Sequence, residues 1–455
     1  MKSDPAALKT ESRRVWAIAW PVLLTNILNV TVGIIDFKMV GSLGISAIAS
    51  VGMSRQVMMF VMVLMIAISG GSSVLVAHAH GAGDRAAVSA TAARCLLLMV
   101  AAAFVLVMPL GLLLAEPMLV ALGGSPNVVD LGTTYLHILF AGSVFTMLNF
   151  AVTAILLGVG RTEISLILLV GVNTLNVLLN YLLIFGAGPI PALGVAGAAL
   201  GTITARGLGS IAGLWIVTTP RLPVQACLRE GLQLNMPLVG RILFLGGPRS
   251  LQGIVRNASR LIMIRIVTLL PDSTRAVSAY SVCMQVRLVS IFVGLAFMSA
   301  AMARVGQNLG AGDPDAAERS GWIASGMAAG IMTVVAVILF LFPATIMGFF
   351  TTDADVIAMG RTFFRIVAVT QPVMAVAFAL GGGLRGGGDP MTPFIYASLS
   401  DLFVVVLVGY TLAIKLDMGL TGVALGIAVS AFTRSLPTAR KFRQGKWKGT
   451  RLRHG

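Results

Sequence analysis

The chain is 455 residues long, with 57% hydrophobic residues and only 11% charged, against about 25% charged in an ordinary soluble protein. It cannot clothe the surfaces of two or three soluble domains, which excludes a soluble enzyme and indicates a polytopic membrane protein. The net charge of +16 would suggest nucleic acid in a soluble protein, but here the cations have to be placed against a bilayer first.

The chain opens with MKSDPAALKTESRRVW and runs into about 20 mostly apolar residues with no small-x-small cleavage site. Residues 1–14 are therefore expected to be a tail before a retained first span, not a cleaved signal peptide. A spanning helix needs about 20 apolar residues. Twelve such stretches follow in order, near 15–36, 50–77, 95–115, 131–157, 163–186, 195–218, 242–270, 278–304, 319–343, 360–384, 391–414 and 418–435. Short loops with turn residues separate them, among them His80–Asp84 (HGAGD), Gly123–Asn127 (GGSPN), Gly186–Pro191 (GAGPIP), Gly310–Pro314 (GAGDP) and Gly386–Pro390 (GGGDP). Barrel strands would alternate in segments of about ten residues, whereas these runs are longer and do not alternate. The fold class is all-α: an integral membrane protein of twelve transmembrane helices.

Charge sorting orients it. With the N-terminus inside, twenty-one Lys and Arg fall on the cytoplasmic side, including Arg85, Arg161, Arg304, Arg319, Arg385 and a C-terminal set from Arg434 to Arg453. Five fall opposite: Lys38, Arg55, Arg275, Arg361 and Lys415. This positive-inside bias puts both termini in the cytoplasm of a multi-pass protein of the inner (plasma) membrane. The basic tail suits an anionic leaflet, so lipid and not nucleic acid is the expected partner. Cys95, Cys227 and Cys283 have no metal or redox spacing and read as small apolar residues.

The two halves match. Val76–Asp84 (VAHAHGAGD) aligns with Val305–Asp313 (VGQNLGAGD), Leu157–Arg161 (LGVGR) with Arg385–Asp389 (RGGGD), and Leu193–Gly201 (LGVAGAALG) with Met418–Gly426 (MGLTGVALG), at nearly one offset. Six spans per half make this a parallel internal repeat. Lobes at 15–218 and 242–435 are expected, joined by a cytoplasmic linker at 219–241 and followed by a basic tail at 436–455.

Ionisable and amide groups inside spans mark function by default. Asp36 is the sharpest. Thr25, Asn29 and Asp36 lie at roughly 0°, 40° and 20° around the first helix, one polar stripe, while Lys38 lies off it. Asn173, Asn176 and Asn180 share a face of the fifth helix, as a hydrogen-bond network or as glue between helices. Thr202 and Thr204 on the sixth are weaker, since either can bond its own helix. In the second half Arg249, Arg256 and Arg260 fall within about 40° of each other, with Arg265 opposite. Arg287, Arg365 and Asp401 lie in later spans, and Asp401 can neutralise one arginine. These arginines fit an anionic substrate, structural ion pairs, or snorkelling to the interface. His78 and His80 have no third ligand, and Gly381–Asp389 lacks the Gly-Lys-Ser/Thr ending of a phosphate loop. No catalytic constellation, no metal site and no cofactor are expected; transport would draw on an ion gradient.

Asp36–Gly44 (DFKMVGSLG), Asn176–Gly186 (NVLLNYLLIFG), Val305–Pro314 (VGQNLGAGDP) and Leu384–Pro390 (LRGGGDP) resemble the multidrug and toxic compound extrusion family over residues 10–440. The resemblance implies a monomeric antiporter exporting cationic or amphipathic small molecules by alternating access, driven by protons or sodium. It implies that Asp36 is the coupling carboxylate and that Asn176, Asn180 and Thr202 join it in a network, with sodium at Asp36, Asn176 and Asn180 as the alternative to a proton. The family usually carries a second carboxylate where Asn180 stands, and its loss favours protons. Asn29, Asn173, Arg260, Arg265, Arg287 and Asp401 are further substrate or network candidates. The arginines of the second half motivate a second reading, a flippase of a lipid-linked anionic substrate; a non-transporting scaffold would need neither Asp36 nor the asparagines.

Overall fold

A computed structural model describes residues 5–186, 191–219 and 236–449, and these are nearly all helical. Most of the Gly186–Pro191 loop, most of the 219–241 linker with Arg221, Cys227 and Arg229, and the last basic residues Arg451 and Arg453 lie outside the described residues.

In chain order the helices are α1 (Pro5–Gly41), α2 (Ile45–Gly81), α3 (Arg85–Ala121), α4 (Pro126–Ala141), α5 (Ser143–Val159), α6 (Thr162–Phe185) and α7 (Gly194–Thr218). Then come α8 (Met236–Val267), α9 (Ser273–Gly310), α10 (Pro314–Leu341), a short α11 (Pro343–Gly348), α12 (Ala354–Gly386), α13 (Met391–Lys415) and α14 (Gly419–Arg443). Ten of these are long and apolar enough to cross a bilayer alone, and α4 with α5, bent by 52°, make an eleventh span. The twelfth is α8, whose five arginines dilute its hydropathy. The twelve-helix membrane architecture is thus the one the hydropathy implies. The span near 131–157, however, is a broken helix, hinged at Gly142. The helices also outrun their apolar runs. At 37 residues, α1 is about 55 Å long against a hydrocarbon core of about 30 Å.

The contacts divide the described residues into two units, 24–247 and 5–23 with 248–449. In the first, α2 supplies the most buried surface, and Val40, Ala47, Val51, Ile184, Val195 and Ala198 close one end of the core. In the second, α9 and α12 are central. Tyr280, Cys283, Phe363, Phe364 and Val423 pack one cluster, and Val305, Leu384, Phe442 and Trp447 another.

The repeat seen in sequence is a repeat of structure. Gly83 and Gly312 take left-handed conformations, φ +72° and +77°. The aspartate after each caps the next helix: Asp84 accepts from the Ala87 amide (2.9 Å) and Asp313 from the Ala316 amide (2.7 Å). Gly-Asp here is therefore a turn followed by an N-cap. In each unit two glycines also bring the last helix onto the backbone of the one before it. Gly197 and Gly201 of α7 lie against Leu183 and Asn180 of α6, and Gly422 and Gly426 of α14 against Ala413 and Gly409 of α13.

The first turns of α1 belong to the second unit because of an ion pair. Arg304 Nε and Nη2 each donate to a Glu11 carboxylate oxygen at 2.8 Å, and Ser320 Oγ donates to the same carboxylate at 2.7 Å. Arg304 also donates to Gln307 (2.7 Å). With side chains only 11% and 14% exposed, removing one partner strands a buried charge. Glu11→Ala should therefore cost about 3 kcal/mol, read as a lower unfolding temperature of the purified protein. Arg275→Ala, which breaks the solvated pairs to Asp272 and Asp353, should leave that temperature unchanged, because exposed pairs stabilise little.

Candidate functional site

The polar groups of the 24–247 unit gather where α1, α6 and α7 approach one another. Asp36 sits in the last two turns of α1, partly buried, and accepts a 2.9 Å hydrogen bond from Asn180 Nδ2 on α6. One turn earlier Asn176 Nδ2 donates to Thr202 Oγ1 on α7 at 3.1 Å, and that hydroxyl donates to the Ala198 carbonyl at 2.8 Å. Asn176 and Asn180 are buried. The structure thus joins Asp36 to Asn180 and Asn176 to Thr202 in one unit. It leaves Asn29 exposed on α1, and Asn173 partly buried with its Nδ2 unpartnered among the described residues. Lys38 is exposed and forms no ion pair with Asp36 among the described residues.

The approach depends on Gly201. A Cβ there would run into the Asn180 carboxamide and the α6 backbone, so only glycine lets α7 come close enough to hold Asn180 against Asp36. The carboxamide's Oδ1 is buried and has no partner among the described residues.

Three residues that sequence reasoning passed over share this site. Arg55 and Arg206 lie within electrostatic reach of Asp36, and Tyr135 of α4 senses all three. Arg55 donates to the Gly33 carbonyl at 2.9 Å and stands 5.1 Å over the Phe37 ring. Arg206 donates to Thr146 Oγ1 at 3.0 Å, beside Asn149, whose Nδ2 donates to the Arg206 carbonyl at 2.8 Å. Arg206 was findable: it is a charge inside an apolar span, the very signal that singled out Asp36. Arg55 was sorted with the outer charges because it is near a span's start.

The second unit holds the remaining candidates. Asp401 pairs with Arg434 at 3.6 Å, so its ion-pair partner is none of the α8 arginines. Arg434 is not a free-tail residue: α14 continues to Arg443 and carries it inward. Arg385, expected among loop cations, is buried in α12 and donates to Gln252 Oε1 at 2.6 Å. Arg287 is partly buried, while Arg260, Arg265 and Arg365 are exposed. Arg265 reaches only Thr268, and Arg365 stands 5.8 Å over the Phe340 ring.

With this geometry in hand, a family model described as MatE matches residues 21–182 and 248–411. The probable multidrug resistance protein NorM of Thermotoga maritima is 28% identical over 446 residues, spanning 94% of this chain and 92% of that one. The multidrug resistance protein NorM of Burkholderia vietnamiensis is 26% identical and spans 96% and 95%. A crystal structure of MATE in complex with MaD3S shares the fold, with a TM-score of 0.87 at 21% identity over 96% of this chain and 97% of that one.

The dependence on Gly201 can be measured. Gly201→Ala should destabilise the purified protein by about 1–3 kcal/mol through overpacking. Gly171→Ala on α6, whose Cβ would meet open space, should leave the unfolding temperature unchanged or slightly raised.

Proposed function

The chain belongs to the MatE family, and from that premise we propose that it is a secondary active antiporter that exports amphipathic organic compounds, cations among them, in exchange for protons. The observation that carries this reading is the Asp36–Asn180 hydrogen bond inside a membrane span. An ionisable side chain at that depth is expensive to keep, and a reversible proton is the use that repays it.

The pair suits both protonation states. As a carboxylate, Asp36 accepts from Asn180 Nδ2. As a neutral acid it gains a donor, and Asn180 Oδ1, buried and unpartnered among the described residues, is the acceptor next to it. A carboxamide offers one donor edge and one acceptor edge, so it can receive the group whether or not the proton is present. Charge supports protons over sodium. The site has one carboxylate, with the guanidiniums of Arg55 and Arg206 in electrostatic reach. These already balance it and would repel a bound cation.

Under this reading the protein acts as a monomer in the inner membrane with both termini in the cytoplasm, since the basic residues crowd on that side. Access to the site alternates between the two faces, with proton binding on one and release on the other.

The test is accumulation of ethidium in an efflux-deficient strain. Wild type should lower accumulation and Asp36→Asn should abolish that effect with the protein still in the membrane. Collapse of the pH gradient should stop export and sodium removal should not; the reverse result would eliminate proton coupling. Asn180→Asp supplies a second carboxylate and should introduce a sodium dependence that wild type lacks.

A further inference from the structure

The 248–449 region gathers more positive charge than its own acids can neutralise. Arg256 of α8, Arg287 of α9 and Arg385 of α12 all lie within electrostatic reach of Arg434 of α14, and Arg249 within reach of Arg256 and Arg385. Among the described residues Asp401 is the one carboxylate within reach of this set, and it meets Arg256, Arg287 and Arg434. It is already engaged by Arg434 at 3.6 Å, and Arg434 also lies 5.4 Å over the Phe378 ring.

Of the other four guanidiniums, Arg385 alone has an oxygen acceptor among the described residues, Gln252. Arg249 and Arg256 have no hydrogen-bond or ion-pair partner among the described residues. Arg287 reaches only the Met284 sulfur at 4.0 Å. Arg385, 5% exposed, is held by Gln252 and by the Met298 sulfur at 2.9 Å, and its Nε is buried without a partner among the described residues. Snorkelling to an interface does not account for Arg385, which is buried within the unit, or for Arg434, which is partly buried with a side chain only 12% exposed. Arg385 is buried, Arg249 and Arg287 are partly buried and Arg256 is exposed; a guanidinium within a span is costly where acceptors do not meet it, and guanidinium forks are shaped for the oxygens of carboxylate, phosphate or sulfonate. Asp401 also sits in a nine-residue π-helical stretch, Ser400–Val408, a rare geometry that recurs at functional sites. Its Oδ2 is buried without a partner among the described residues.

We propose that these arginines form a binding site for the anionic group of an amphipathic substrate, with Asp401 as the resident anion that an incoming carboxylate, phosphate or sulfonate displaces from Arg434. This rests on the exporter reading and extends its substrates to amphipathic anions, whether soluble or carried on a lipid.

The test uses two dyes of one tricyclic scaffold, anionic fluorescein and cationic rhodamine 6G, binding to full-length protein in phosphatidylcholine nanodiscs, read by fluorescence anisotropy. Fluorescein should bind. Arg256→Gln and Arg287→Gln should each weaken it about tenfold, the size of one charge-assisted hydrogen bond, without changing rhodamine affinity. Arg365→Gln, outside the cluster, should change neither. Asp401→Asn should tighten fluorescein binding, because it removes the competing anion; a merely structural ion pair would give no change or a loss. The site is overturned if fluorescein does not bind, if its affinity ignores Arg256→Gln and Arg287→Gln in protein of unchanged unfolding temperature, or if Asp401→Asn weakens it. Competition by phosphatidylglycerol added to the nanodisc assigns the site to lipid headgroups, and its absence to soluble anions. Rhodamine export that depends on Asp36, without fluorescein binding, removes the anion site and keeps the exporter. Arginine-dependent fluorescein binding with no Asp36-dependent export does the opposite.

Discussion

In a hydrocarbon surrounding, an ionised side chain persists only where protein groups take the place of water. That constraint orders the polar interior of both units. Asp36 is met by the amide of Asn180 and by the fields of Arg55 and Arg206. Arg304 is clasped through two nitrogens by Glu11, with Ser320 closing the carboxylate's other side. Asp401 is met by Arg434. None of these partners is close in sequence, so each depends on helices packing at one particular depth and rotation.

Glycine sets that packing. Gly197 and Gly201 in one unit and Gly422 and Gly426 in the other bring the last helix onto the one before it. The backbone approach is common to the two halves, but what it presents is not. In the first unit Gly201 faces Asn180, which reaches Asp36. In the second, Gly426 faces Gly409, which has no side chain to present. The shared backbone contact therefore builds a carboxylate site once, and in the second unit the polar interior is built from arginines. The two units divide the electrostatic labour: one holds Asp36 balanced by cations, the other holds the Glu11–Arg304 pair and, around Asp401, cations in excess of that acid.

In the sequence, the local signals are the legible ones. Asp36 stands out because an acid in an apolar helix needs no partner to be noticed. Asn173, Asn176 and Asn180 stand out because spacings of three and four place them on one face. That same spacing does not separate them: Asn180 reaches Asp36, Asn176 reaches Thr202, and Asn173 reaches neither. That Arg385 and Arg434 turn into the protein was not legible for a related reason. Near a span's end, a cation pointing into solvent and one turned into the protein look alike in sequence. The helix α14 continues past its apolar run, and its side-chain direction then decides.

The sequence by itself determined the membrane habitat, the twelve helices, the duplicated plan and the turns that join it. Those follow from composition, run length and Gly-Asp chemistry within a few residues of each other. Only the tertiary structure decided which polar groups meet. Asn180 and Asp36 are 144 residues apart along the chain, and their contact exists because helices cross where Gly201 leaves room. The same holds for the arginines. Their number can be counted along the chain, but the approach of Arg256, Arg287 and Arg434 to Asp401 is a property of four helices packed together.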